Sequence, residues 1–111
     1  MLKSCDIGIT ADIPLTCIFH HRGLGVVIGD YTKIRQNCQI YSNVCIGAKG
    51  KNSNDGNPEI RDNCVVGTGS IILGNIKIGN NVIIAAGFVI IDSMPDNVMV
   101  AGNPAKKTSI N

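Results

Sequence analysis

The sequence predicts an all-β fold, a three-sided parallel β-solenoid wound from a single chain, and three observations carry that prediction. Aliphatic residues recur at every sixth position, from Ile28 through Ile34 and Ile40 to Ile46, and again from Ile60 through Val66, Ile72, Ile78 and Ile84 to Ile90. Three positions after most of these stand Asn37, Asn43, Asn63, Gly69, Asn75, Asn81 and Gly87, residue types that readily take a left-handed backbone conformation. Aromatic residues are only 4% of a chain that is 44% hydrophobic, and Trp is absent, so small aliphatic units must fill the interior. Short strands with a turn every six residues close a triangle in three hexads, and the coils stack about 4.8 Å apart.

The elements follow in chain order. Ile7, Ile13 and Phe19 open the count of six. The step from Phe19 to Ile28 is nine residues, which places an inserted loop at about 20–25. The step from Ile46 to Ile60 is fourteen, which places a second insertion at about 47–59. After Ile90 the pattern ends in a short tail, about 103–111, and the whole of 1–111 counts as one domain. Stacking then puts Ile7, Ile28, Ile46, Ile72 and Ile90 on one face. Ile13, Ile34, Ile60 and Ile78 take the second, and Phe19, Ile40, Val66 and Ile84 the third. A further inward position, four residues after each of these, holds small groups such as Ala11, Cys17, Thr32, Cys38, Val44, Cys64 and Ser70. Cys17, Cys38 and Cys64 are thus expected as a vertical ladder of core thiols.

Several function classes are excluded. Ten Lys and Arg against eight Asp and Glu give a net charge of +2, scattered without the basic stripe of a nucleic-acid binder. Mean hydropathy is +0.20, yet no apolar run approaches the roughly 20 residues needed to span a bilayer. The start, MLKSCDIG, lacks a signal-peptide core, so a cytoplasmic location is expected. Five cysteines without a C-x-x-C pair indicate free thiols rather than a disulfide framework or zinc ribbon. Only two histidines exist, and they are adjacent, so no metal site is expected. Threonine is too sporadic for the regular rows of an ice-binding solenoid. A domain this small buries little surface, and oligomerisation is the expected remedy.

Six segments carry a family likeness: DIGITADI (6–13), HHRGLGVVIGD (20–30), IYSNVCIG (40–47), GAKGKNSNDGNPEI (47–60), GTGSIILGNIKIG (67–79) and VAGNPAKK (100–107). In them the chain resembles the left-handed parallel β-helix acyltransferases with hexapeptide repeats, in the serine acetyltransferase and polysaccharide O-acetyltransferase branch. The resemblance implies a left-handed coil, a homotrimer, and acetyl-CoA as co-substrate in the groove between neighbouring prisms. The two insertions leave corners about 16 Å apart within one chain, so an active site that uses both is expected between subunits.

Acetyl transfer from a thioester to an alcohol requires removal of the hydroxyl proton, and an imidazole, which titrates near neutrality, suits that step. His21 takes the place of the family's catalytic histidine, and Asp6, fifteen residues earlier, matches the family's spacing for a carboxylate that orients it. His20 stands where serine acetyltransferases carry an acceptor-contacting aspartate. Successive residues of an extended chain point opposite ways, so the two histidines are not expected both to face one acceptor, and His21 is preferred over His20 as the base. Backbone N–H groups in 23–25 or 47–51 are candidates for the oxyanion. Gly47, Ala48, Gly67, Thr68, Ala85 and Ala86 match family contacts to the pantetheine arm. Lys49, Lys51, Lys106 and Lys107 are candidates for the phosphates.

The family's D-R-H-P acceptor motif becomes Asp55-Gly56-Asn57-Pro58, without the cation that would pair with a serine carboxylate. The helical N-terminal segment of serine acetyltransferases also has no counterpart in these 111 residues. Asp55 and Asn57 instead suit a sugar hydroxyl, so the expectation is an O-acetyltransferase for a carbohydrate, a sugar or surface-polysaccharide precursor. The alternatives are serine as acceptor and a catalytically inactive solenoid.

Overall fold

A computed structural model describes residues 5–49 and 56–101, and the backbone of Lys106–Ser109. The chain winds as a left-handed parallel β-helix whose strands are two to four residues long. All three predicted faces form. The first stacks Asp6–Ile7, Val27–Ile28, Cys45–Gly47, Ile71–Leu73 and Val89–Ile90. The second stacks Lys33–Ile34, Glu59–Ile60 and Lys77–Ile78, flanked by bridges from Asp12 to Lys33 and from Ile78 to Met94. The third stacks Ile18–Phe19, Gln39–Ile40, Val65–Val66, Ile83–Ile84 and Val98–Ala101. Onto its end Lys106–Ser109 pairs antiparallel, so the tail closes the last coil as a strand.

Each strand from Val27–Ile28 to Val89–Ile90 buries one side chain inward, and that residue is the sixth-position aliphatic. Ile28, Ile34, Ile40, Ile46, Ile60, Val66, Ile72, Ile78, Ile84 and Ile90 are all at most 2% exposed. Such burial is worth about 1.5–3 kcal/mol per side chain before chain entropy is counted. The opening coil is looser, with Ile7, Ile13 and Phe19 only packed against the edge of this core.

The outward residues differ by face. On the first face the column runs Asp6, Val27, Cys45, Ile71, Val89, and on the third it runs Ile18, Gln39, Val65, Ile83, Met99. Both are mainly apolar. The second face presents Asp12, Lys33, Glu59 and Lys77. There Arg35 lies 3.6 Å from Asp12 and 3.5 Å from Glu59, which also meets Arg61 at 3.7 Å. Exposed pairs of this kind add little stability, but they mark the second face as a wet one.

Turns fall where the asparagines and glycines predict them: Asn37, Asn43, Asn63, Gly69, Asn81 and Gly87 all have φ between +59° and +79°. Asn75 does not. The strand there runs on to Leu73, so the left-handed residue becomes Gly74, at φ +101°, whose N–H donates to the Gly47 carbonyl at 3.0 Å. Tyr31 also takes φ +63°, a bulky residue in a conformation costly to residues other than Gly, Asn and Asp.

The thiol ladder forms as expected and its cysteines are free. Cys38 donates to the Arg61 carbonyl at 2.9 Å and Cys64 to the Gly79 carbonyl at 3.0 Å. Burial, helped by the neighbouring Cys38, pushes the Cys17 thiol up to about 12. Contact with the Cys38 thiol, followed by burial, pushes Cys64 up as well. An unfolded cysteine loses its proton near pH 8.5, so above that pH native Cys17 and Cys64 keep protons that the unfolded chain has lost. Their contribution to stability is therefore full below about pH 8.5 and falls as pH rises toward 12, opposed by Cys38, whose thiol the hydrogen bond with Cys64 lowers. Urea unfolding in reductant from pH 8 to 11 is expected to show this decline, and Cys17→Ala to flatten part of it. A flat wild-type profile would refute it.

Candidate active site

The first insertion leaves the prism where the third face gives way to the first. After Phe19 the chain makes one tight 3-10 turn, His20–Gly23, in which His21 and Arg22 have φ of +52° and +58°. The chain here is not extended, so the alternation expected to separate the two rings does not apply. Gly23 and Gly25 continue the left-handed run, and a Cβ on Gly25 would collide with the Asn43 side chain. The Leu24 carbonyl accepts from the Asn43 N–H at 2.8 Å, which pins the loop to the next coil.

The two histidines end in different surroundings. His20 is half-buried, with Nε2 2.9 Å from Gln39 Oε1 and its ring stacked on Tyr41 at 4.1 Å between centroids and 11° between planes. An amide oxygen only accepts, so this contact calls for the hydrogen on Nε2. His21 is exposed, and its side chain has no hydrogen bond or ion pair with another described residue. Asp6 lies where stacking places it, in register with Val27 on the returning leg of the loop, with its N–H donating to the Val26 carbonyl at 2.9 Å. Its carboxylate is exposed and not within ion-pair distance of His21.

Gln39 and Tyr41 were missed by reading the histidines alone. The signal was available in the coil spacing. Phe19 pairs with Ile40, so the following residues, His20 and Tyr41, stack one above the other.

The same register continues from Ile40 to Val66 and from Val66 to Ile84, so Gly67 and Ala85 extend the His20–Tyr41 column, with Thr68 and Ala86 next to them. Gly67 is packed tightly: a Cβ there would meet backbone atoms of Ile84, Ala85 and Ala86 at 2.6–2.8 Å. Gly47, Ala48 and Lys49 lie at the opposite edge of the first face, and a Cβ on Gly47 would meet open space. Asn57 lies beyond that edge and lines a cleft of about 500 Å³ together with Tyr31, Lys33, Glu59, Asn75 and Lys77. Asp55 and Lys51 lie outside the described residues, as do the side chains of Lys106 and Lys107. One chain thus divides the candidate residues between two corners.

Comparison with known proteins supplies relatives for the same frame. Residues 57–91 match the bacterial transferase hexapeptide model of six repeats. The chain is 43% identical over 89 residues to serine acetyltransferase of Synechococcus elongatus, covering 80% of this chain and 36% of that one. It superposes on the crystal structure of Neisseria gonorrhoeae serine acetyltransferase with a TM-score of 0.88 at 33% identity, covering 96% of this chain and 40% of that one. A serine acetyltransferase in complex with CoA aligns with a TM-score of 0.83 at 30% identity, covering 94% and 42%. The chain spans less than half the length of each of these relatives. Repeat, register and superposition agree in making this chain a hexapeptide-repeat β-helix similar to the serine acetyltransferases.

Proposed function

We propose that this chain forms the β-helix of an acetyl-CoA-dependent O-acetyltransferase with L-serine as acceptor. The observation that carries the proposal is the histidine corner, which sets His20 and His21 over Asp6 in a β-helix whose relatives are serine acetyltransferases. His21 is the general base in this scheme: its exposed ring takes the proton of the attacking hydroxyl, and Asp6 orients it and stabilises the imidazolium. His20 contacts the acceptor, with Asp55 and Asn57 supplied by the second insertion. Gly67, Thr68, Ala85 and Ala86, with Gly47 and Ala48, let the pantetheine arm approach backbone. Lys49, Lys51, Lys106 and Lys107 supply charge for the phosphates.

Two corners of one prism cannot surround one small acceptor, so the working unit in this proposal is a homotrimer. The apolar columns of the first and third faces support it, since Ile18, Val27 and Val89 are 53%, 42% and 55% exposed and gain from burial against another copy. Five free cysteines fit a reducing cytoplasm.

A carbohydrate acceptor is the second reading, favoured by one observation: Gly56 and Asn57 replace the arginine and histidine that the resemblance implies for holding an amino acid. The discriminating assay follows thiol release from acetyl-CoA with L-serine, simple sugars and nucleotide sugars in turn. Serine-stimulated release is expected. Release stimulated only by sugars would establish the second reading, and no stimulation by any acceptor would overturn acetyl transfer.

A further inference from the structure

We infer that Gln39 and Tyr41 are positioning residues that lock His20 as its Nε2–H tautomer, leaving Nδ1 as a neutral hydrogen-bond acceptor for a hydroxyl of the acceptor substrate. The lock is read from the structure alone, and its substrate rests on the acetyl-transfer proposal above. Three features converge on it. The Gln39 carbonyl oxygen, 2.9 Å from Nε2, can only accept, and so selects one tautomer of the ring. Tyr41, stacked at 4.1 Å and 11°, covers one ring face and resists rotation of the imidazole. Nδ1 has no hydrogen-bond partner among the described residues.

The choice of an amide matters chemically. A carboxylate at Gln39 would favour the imidazolium, whose two nitrogens both donate. The amide orients the ring without drawing a second proton onto it, so Nδ1 remains an acceptor. The resemblance implies an anionic aspartate at the position of His20, which suits a cation. A locked neutral imidazole instead accepts from a hydroxyl and does not require positive charge on the ligand. Both partners come from the coil above, on the third face, so coil stacking itself builds the lock.

The test labels the histidine rings with 15N and reads their tautomers by NMR, with His20→Ala assigning the signals. In the wild-type protein His20 is expected with Nε2 protonated and Nδ1 of the unprotonated type. Gln39→Leu should release the ring to a mixture of tautomers. Gln39 lies in an outward column between Ile18 and Val65, where Leu is tolerated, and Gln39→Glu, whose carboxylate keeps an accepting oxygen, should hold hydrogen on Nε2 but shift the ring toward the doubly protonated form. In turnover, Gln39→Leu should raise the acceptor KM roughly five- to tenfold, the loss of one hydrogen bond, with the acetyl-CoA KM and kcat largely unchanged. A wild-type His20 that already exchanges tautomers, or an acceptor KM unmoved in Gln39→Leu, overturns the inference. If the tautomer is locked as predicted but the wild-type protein transfers no acetyl group, the acetyl-transfer proposal fails while the lock stands.

Discussion

Replacing His21 by Asn should lower the rate of acceptor-dependent thiol release from acetyl-CoA by about 10²- to 10⁴-fold, the usual contribution of a positioned general base. Asn is the informative choice because His21 sits at φ +52°, where Asn is well tolerated and Ala is strained. The side chain is exposed and has no polar partner among the described residues, so the melting temperature of the variant should match that of the wild type. His20→Asn, by contrast, should act mainly on the acceptor KM. The reverse outcome, with kcat lost in His20→Asn and kept in His21→Asn, would move the base to His20 and leave His21 without a role.

The largest stability effect should come from the middle of the inward column. Ile72→Ala is expected to cost about 2–5 kcal/mol, toward the upper part of the range for Ile→Ala truncations. Ile72 is fully buried, and it is hydrogen-bonded in register with Ile46 below and close to Ile90 above through the strand ladder. Those ladders hold the coils at a set spacing, so neighbouring residues cannot easily move inward to fill the hole. Ile7→Ala in the opening coil should cost markedly less, because Ile7 is only half-buried. Denaturant unfolding monitored by circular dichroism measures both. Equal losses at the two sites would mean that the array does not pack as a stack of rigid coils.

Much of this molecule was legible in the sequence because a solenoid repeats its physics every six residues. The interval from Ile28 to Ile46 fixes which side chains point inward, and the insertions before Ile28 and Ile60 follow from simple counting. Asp6 was placed beneath the histidine loop by the same counting, and the structure puts it there. The failures occur where the repeat is interrupted. Asn75 lost its turn to Gly74 because the Gly47 carbonyl captures the Gly74 N–H, a contact between the coil above the second insertion and the residue that opens it. The assumption of an extended chain at His20–His21 failed because the three extra residues are absorbed by a left-handed turn rather than by a bulge in a strand. The acceptor preference also shifted: substitutions in the Asp55-Gly56-Asn57-Pro58 segment suggested a sugar, while the chain's overall similarity is to serine acetyltransferases.

By itself the sequence determined the three faces, the inward column and the corner that bears the histidines, because hydrophobic periodicity and turn-forming residues act locally and recur. Only the tertiary structure decided which histidine is held and by what. The partners of His20 stand 19 and 21 residues further along, on the next coil, and the identity of a stacked neighbour depends on how many residues each insertion adds to the turn. A hydrogen bond and a ring stack are contacts between coils, set by register and distance, and no property of the His-His pair alone specifies them.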